Sequence, residues 1–376
     1  MTIPMYAISA SYINVLTLPF MGRVQRFIPL LMLLVVVSLL AAIWAGLLRI
    51  GWVWPSPQPT LAAVHGPLMV SGFLGALIGL ERAVALRHGW TFLSPLLTSL
   101  GGVLLIAGLI VPAQMLITLG SAILVVVSVA MMRHEWALYT VTMGAGAVAW
   151  LGGNLLWLVG RPIYQASYWW AGFLLLVIAG ERLELTRVLK PSPRIKLLFG
   201  MSASLFSAGL LLSAINYPPG IKVASLGTLA MALWFGLFDI ARRTIRKPGI
   251  TRFIAANLLI GYFWLAVSGL IGIFGSALVA GPIYDAWLHA LFLGFAFSMI
   301  FAHALIILPA LLGVKVSFHP IFYLPSALLQ ISLLMRIAGD LTLQMTLRPW
   351  GGLLNAVSIL LFAAIVIVNV VKNRDM

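Results

Sequence analysis

Long apolar runs alternate along this chain with short segments that hold most of the charged residues. A bilayer core needs roughly 20 apolar helical residues to cross it. About twelve runs reach that length, which predicts an all-α, polytopic membrane helix bundle with about twelve transmembrane helices. The predicted spans are 27–50, 60–86, 91–111, 113–132, 136–160, 163–186, 195–215, 220–243, 250–275, 283–312, 320–339 and 348–371.

We expect the whole chain, residues 1–376, to form a single transmembrane bundle. A short segment, 1–26, precedes the spans, which lie within 27–371, and a short cytoplasmic tail follows at 372–376. The tightest predicted connection joins the third and fourth spans, where we expect the turn at Val111, Pro112 and Ala113.

Composition supports the membrane class, because 62% of the residues are hydrophobic and only 8% are charged. Soluble domains are about 45–50% apolar and about 25% charged. Cysteine is absent, which excludes disulfides, iron–sulfur clusters and covalent c-type haem attachment. Any metal or cofactor must therefore be held by His, Met or carboxylate side chains. The formal charge of +15 fits basic loops that face anionic lipid, so we expect no binding of nucleic acid.

The basic residues also predict an orientation. In a twelve-span topology, 18 of the 23 Lys and Arg residues lie in the loops after even-numbered spans or near the termini. Since cytoplasmic loops carry the excess of Lys and Arg, these loops and both termini are predicted to be cytoplasmic. The outer side keeps only Arg49, Arg161, Lys222, Arg336 and Arg348.

Two of the six histidines are predicted to lie at the same depth. His65 in the second span and His289 in the tenth both lie about five or six residues inside the outer end, roughly 7 Å at the helical rise. Two neutral imidazoles that face each other across a bundle can ligate one haem iron. A single membrane histidine more often packs through a hydrogen bond, so the pair is the informative feature. His303 lies fourteen residues further along the tenth span.

The residues around these histidines are similar to two groups of haem proteins. HGPLM at 65–69 resembles the HGxxM pattern on the second helix of haem-copper oxidase catalytic subunits, where one axial ligand of the low-spin haem lies and the other is on the tenth helix. His65 with Met69, Gly72 and Phe73 resembles the HxxxMxxGF helix of the NnrS family. LHALFLGFAFSMIFAHAL at 288–305 and LLQISLLMRIAGDL at 328–341 resemble the C-terminal half of that family, whose members are twelve-span haem- and copper-containing bacterial proteins linked to nitric oxide and denitrification.

The resemblance implies a b-type haem in a bacterial inner membrane protein, with His65 and His289 as axial ligands. Its role would be electron transfer or the handling of nitric oxide in denitrification. A copper ion is a further expectation, with His303 as a metal ligand. The oxidase copper ligands have no counterpart, because the sixth and seventh spans contain no histidine; we therefore expect no oxidase copper centre.

The scarce outer arginines Arg336 and Arg348 are predicted to bind the haem propionates, since arginine forms charge-assisted contacts with carboxylates. Two simpler interpretations stay open. Arg336 pairs with Asp340 four residues later on the same helix, or Arg348 extends its side chain to the membrane interface.

Two other functions remain as alternatives. A secondary transporter suits twelve spans and would use Glu81, Glu181 or Asp239 as coupling groups, although these acids lie at cytoplasmic helix ends and transporter sites lie near the midplane. A membrane assembly protein without a cofactor would use the histidines for packing alone. Whether the protein is an enzyme, which redox partner it has and whether it forms oligomers stay open at this point.

Overall fold

The computed structural model describes residues 27–374. That part of the chain contains twelve helices long and apolar enough to cross a membrane, which confirms the predicted all-α polytopic bundle. Predictions for residues 1–26 and for the end of the tail, 375–376, lie outside the described residues. The helices are α1 Ile28–Arg49, α2 Leu61–Leu86, α3 Gly89–Ile106, α4 Ile110–His134, α5 Leu138–Leu158, α6 Ile163–Leu189, α7 Pro193–Ile215, α8 Tyr217–Phe238, α9 Ile250–Gly275, α10 Pro282–Leu312, α11 Pro320–Leu341 and α12 Leu347–Asn373.

The two ends of the bundle differ in charge. We call the end at which α2 and α10 begin the histidine end, since His65 and His289 lie there. The opposite end carries the connections after even-numbered helices, where most Lys and Arg residues lie; we call it the basic end. The orientation of these ends relative to the cytoplasm stays a prediction.

Two predicted helix boundaries were wrong. The chain turns between α3 and α4 at 107–109, where Gly108 has a φ of 80° that favours glycine. Pro112 instead lies in the first turn of α4, where its missing N–H leaves no helical bond unmade. Helix α8 ends at Phe238 rather than at residue 243, because Asp239 is extended and its Oδ1 accepts a 2.7 Å hydrogen bond from the N–H of Ala241.

Helices α2, α6 and α10 form the centre of the bundle. Their apolar segments are 67%, 78% and 67% buried, a larger share than in any other described span. The centre of a membrane bundle is the place where ionisable side chains can be shielded from lipid. The histidines predicted to act as ligands therefore lie on two of the three innermost helices.

Helices α2 and α10 share an unusual backbone feature. Each contains an eight-residue π-helical stretch, Leu68–Gly75 in α2 and Ala290–Phe297 in α10. The first begins three residues after His65 and the second directly after His289. Departures of this kind from α-helical geometry occur frequently at functional sites. The local structure thus distinguishes the same two helices that the histidines do.

Candidate functional site

The two histidines lie opposite each other at the histidine end of the bundle. The centroids of the His65 and His289 rings are 6.3 Å apart, and the ring planes differ by 17°. Nδ1 of His65 lies 2.7 Å from the carbonyl oxygen of Ala42, and Nδ1 of His289 lies 2.8 Å from that of Asp285. A carbonyl oxygen only accepts, so each Nδ1 carries the proton and donates it. In the neutral ring, Nε2 is then the unprotonated nitrogen, free to bind a metal.

The spacing of the rings fits a metal held between them. Two metal–imidazole bonds of about 2 Å each would separate the ring centroids by roughly 6.2 Å once the radius of each five-membered ring is included. The structure has 6.3 Å. A backbone carbonyl on the second ring nitrogen is also the usual way in which a ligating histidine is oriented. The residues present therefore fit a bis-histidine iron site.

The histidines line a cleft between α1, α2, α6, α10, α11 and α12. The cleft is open at its mouth, and the empty space in it, which includes open solvent there, is about 810 Å³. Most of the lining residues are apolar, and several are glycines. Such a lining suits a flat, apolar ligand. Lining residues on α1 and α12 include Ile43, Gly46, Leu47, Gly352, Ala356 and Ile359.

An aromatic pair, Phe73 and Phe297, lies further along the same two helices, and Phe297 lines the cleft. Phe73 and Phe297 each lie eight residues after the histidine of their helix. Their ring centroids are 6.1 Å apart and their planes differ by 29°. Both side chains are buried. The two helices thus hold two facing ring pairs, the histidines nearer the end of the bundle and the phenylalanines deeper.

Arg336 lines the cleft at its polar side and is 7% exposed. Its Nε and Nη2 donate to Oδ2 of Asp285 at 3.0 and 2.9 Å. Nη1 makes no hydrogen bond to the described residues, and it lies 3.5 Å from the position that a Cβ at Gly352 would occupy. Since Gly352 is also part of the lining, this nitrogen is the donor that is available to a carboxylate in the cleft. The predicted propionate role of Arg336 stays a prediction with a suitable geometry.

Arg348 lies beside the Arg336–Asp285 pair and outside the lining of the cleft. Its Nε is 2.8 Å from Oδ1 of Asp340, and its Nη2 is 3.6 Å from Oδ1 of Asp285. Arg348 is not among the residues that line the cleft, so its contact with a haem propionate stays a prediction with less geometric support. The alternative pairing of Arg336 with Asp340 was wrong, because Arg336 pairs with Asp285 and Asp340 pairs with Arg348.

Sequence reasoning missed Asp285 and Asn355. The signal for Asp285 was its position four residues before His289, which places both side chains on one helix face. Asn355 on α12 lines the cleft and is 2% exposed. Its Oδ1 accepts a 2.7 Å hydrogen bond from Ser332, while Nδ2 is buried without a partner in the described residues. An unmatched buried donor in the lining is a second group suited to an acceptor on a ligand.

His303 belongs to a different cluster, at the basic end. Its Nδ1 lies 2.8 Å from the carbonyl oxygen of Met299, and its Nε2 lies 3.4 Å from Nη1 of Arg182. Among the residues described, no group of three or more His, Cys, Asp or Glu side chains is arranged to hold a metal ion. His319 accepts a 3.2 Å hydrogen bond from the N–H of Ile321 at the start of α11. The copper site at His303 stays a prediction, with an arginine beside the nitrogen that would bind the metal.

Two of the three acids considered for a transporter, Glu181 and Asp239, are paired with arginines. Glu181 on α6 forms an ion pair with Arg82 on α2. Asp239 accepts two hydrogen bonds from Arg182, at 2.9 and 3.0 Å, and both residues are 2% exposed. Both pairs lie at the basic end and away from the cleft. These contacts favour a role in joining α2, α6 and the end of α8 over a role in ion coupling.

Comparison with known proteins gives one match. A family model described as Domain of unknown function (DUF8744) matches residues 26–371 of the chain. No curated protein and no solved structure matches it. The matched region runs from just before α1 into the last turns of α12, so it includes every helix that contributes to the cleft.

Proposed function

We propose that this chain, which belongs to the DUF8744 family, holds a b-type haem between His65 and His289 and serves in single-electron transfer within a membrane. The observation that carries this proposal is the pair of facing imidazoles, 6.3 Å apart, each with Nδ1 bonded to a backbone carbonyl. The apolar cleft around them supports a flat, largely apolar ligand. A haem held in this way supplies one-electron oxidation and reduction.

The geometry favours electron transfer over chemistry on a bound gas. Both imidazoles are positioned as ligands, so the arrangement reserves no axial position for nitric oxide. A role in the metabolism of nitric oxide rests only on the resemblance to the NnrS family. Such a role would require His65 or His289 to leave its ligand position, whereas the hydrogen bonds to Ala42 and Asp285 hold both rings.

The remaining polar groups of the cleft fit the rest of the ligand. Nη1 of Arg336 and Nδ2 of Asn355 are donors without a hydrogen-bonded partner in the described part of the chain. We assign them to the propionates, with Arg336 as the charged group. In the orientation predicted from the basic residues, this side of the haem faces the outer surface of a bacterial inner membrane.

The proposal is tested by haem content and by the visible spectrum of protein purified in detergent. Wild-type protein should contain b-type haem by the pyridine haemochrome assay and show a sharp low-spin α-band on reduction. His65→Ala and His289→Ala should each abolish that band, because each removes one axial ligand.

His303→Ala provides a matched control. This histidine is also on α10, is largely buried and also bonds a backbone carbonyl through Nδ1, but it lies outside the cleft. Its variant should keep the low-spin band. Wild-type protein that stays colourless after expression with a haem precursor would overturn the proposal, and a normal band in either ligand variant would overturn the bis-histidine assignment.

A further inference from the structure

The two proposed axial ligands differ in what holds them. Nδ1 of His65 bonds only the neutral carbonyl of Ala42. Nδ1 of His289 bonds the carbonyl of Asp285 at 2.8 Å and also lies 3.3 Å from Oδ1 of the Asp285 carboxylate. One imidazole therefore faces a neutral acceptor, and the other faces a neutral acceptor together with an anion.

Asp285 is held firmly in this position. Its side chain is 12% exposed, so water screens its charge only weakly. Oδ2 accepts hydrogen bonds from Nε and Nη2 of Arg336, at 3.0 and 2.9 Å. Oδ1, the oxygen nearest His289, accepts a 3.2 Å hydrogen bond from Nη2 of Arg336 and lies 3.6 Å from Nη2 of Arg348. The two arginines fix the carboxylate and offset part of its charge.

Resting on the proposed function, we propose that Asp285 is a positioning residue that tunes the redox potential of the bound haem through His289. The proton on Nδ1 of His289 is donated to the backbone carbonyl, and the carboxylate lies 3.3 Å from the same nitrogen, where its negative charge stabilises positive charge on the ring and so raises the basicity of the ligand. A more basic imidazole stabilises the ferric state over the ferrous state and lowers the potential. Arg336, which shares the same carboxylate, limits this effect, so the Asp285–Arg336 pair sets the potential.

The experiment uses purified, haem-loaded protein and two readouts. One is the midpoint potential from a redox titration followed at the α-band. The other is the electron paramagnetic resonance spectrum of the ferric form, which responds to the imidazolate character of the axial ligands. Asp285→Asn should shift the ferric–ferrous equilibrium toward the ferrous state by about tenfold, which is an increase of about 59 mV for a one-electron couple. Its ferric spectrum should also change.

Two further variants separate this effect from a general loss of charge or of folding. Glu181→Gln removes a carboxylate that is paired with Arg82 at the basic end, away from the cleft and from Asp285; its ferric spectrum should match wild type. The double variant Asp285→Asn, Arg336→Gln removes one charge of each sign, so it keeps the net charge. It also removes the arginine that Asp285→Asn alone would leave without its carboxylate partner. It should keep the altered ferric spectrum of the single variant.

The outcomes distinguish the two proposals. If wild-type protein binds haem, and both Asp285 variants have the wild-type ferric spectrum and potential, the tuning role is wrong and the bis-histidine site stands. If Glu181→Gln changes the ferric spectrum as much as Asp285→Asn does, the effect does not pass through His289 and the inference is wrong. If wild-type protein binds no haem, the proposed function fails and this inference fails with it.

Discussion

Gly46 on α1 determines where the His65 ring can lie. The ring bonds the carbonyl of Ala42, one helical turn before Gly46, and its Nδ1–Cε1 edge is the part nearest Gly46. A Cβ at position 46 would lie 2.8 Å from Cε1 and 2.9 Å from Nδ1 of His65. Real Cβ atoms do not approach other atoms so closely. Gly46→Ala must therefore displace the ring, together with the Nε2 that we assign to the iron.

The size of the effect follows from the cost of overpacking. Inserting one methyl group into a packed site typically costs about 1–3 kcal/mol. If that cost falls on the ligand geometry, haem binding weakens by roughly 5- to 150-fold. The helix itself gains up to about 1 kcal/mol from alanine in place of glycine. This gain offsets part of the overpacking cost, so we expect a protein that still folds and binds haem more weakly.

The assay is a haem titration of haem-depleted protein in detergent, followed by the Soret absorbance. Gly200→Ala on α7 is the matched control, because a Cβ there meets nothing within 4 Å and the gain in helix propensity is the same. Its dissociation constant for haem should equal that of wild type. If Gly46→Ala binds haem with wild-type affinity, His65 does not bind the haem iron from the position it has in this structure, and the assignment is refuted.

Two predictions concern the rest of the bundle. Asp239→Asn should lower the melting temperature in detergent strongly, since it leaves the buried Arg182 uncompensated at a cost of roughly 3–5 kcal/mol. Glu135→Gln changes an ion pair whose side chains are 54% and 53% exposed, so it should cost at most about 1 kcal/mol. Equal melting temperatures for the two variants would contradict this reasoning. Because the chain contains no cysteine, single cysteine substitutions report the orientation of the bundle. A membrane-impermeant maleimide added to intact cells should label Val53→Cys, at a residue 98% exposed between α1 and α2. It should leave Ser192→Cys, at an exposed residue between α6 and α7, unlabelled, and the reverse pattern would invert the proposed orientation.

Much of the fold could be predicted because apolar length is a strong signal in a membrane chain. Hydropathy and the positions of charges were enough to find all twelve spans, and the boundaries that they misplaced were the turn between α3 and α4 and the end of α8. Between α3 and α4, Pro112 suggested a break that the structure has at Gly108. Proline is tolerated both in the first turn of a helix and in the connection before it. Hydropathy alone therefore did not show that Pro112 belongs to α4.

The candidate site could be predicted only in part. The juxtaposition of His65 and His289 followed from depth and topology, since both lie near the starts of helices that run in the same direction. The partner of Arg336 did not follow, because Asp340 is near in sequence whereas Asp285 is near only once α10 and α11 pack together. The π-helical stretches after both histidines also have no simple sequence signature.

The distribution of acids gives a second reason, besides the facing imidazoles, to regard the cleft as functional. Seven of the eight acidic residues lie in the described part of the chain, and five of these are at the basic end, where arginines are abundant. At the histidine end, only Asp285 and Asp340 occur, and both are largely buried beside Arg336 and Arg348. Buried ion pairs contribute little to stability compared with apolar packing, so stability alone does not account for four largely buried charges at one place in the end of the bundle that has few charges. Charged groups placed around His289 are expected at a site whose ligand carries carboxylates, as haem does. They are also expected where the protein tunes the redox potential of that ligand.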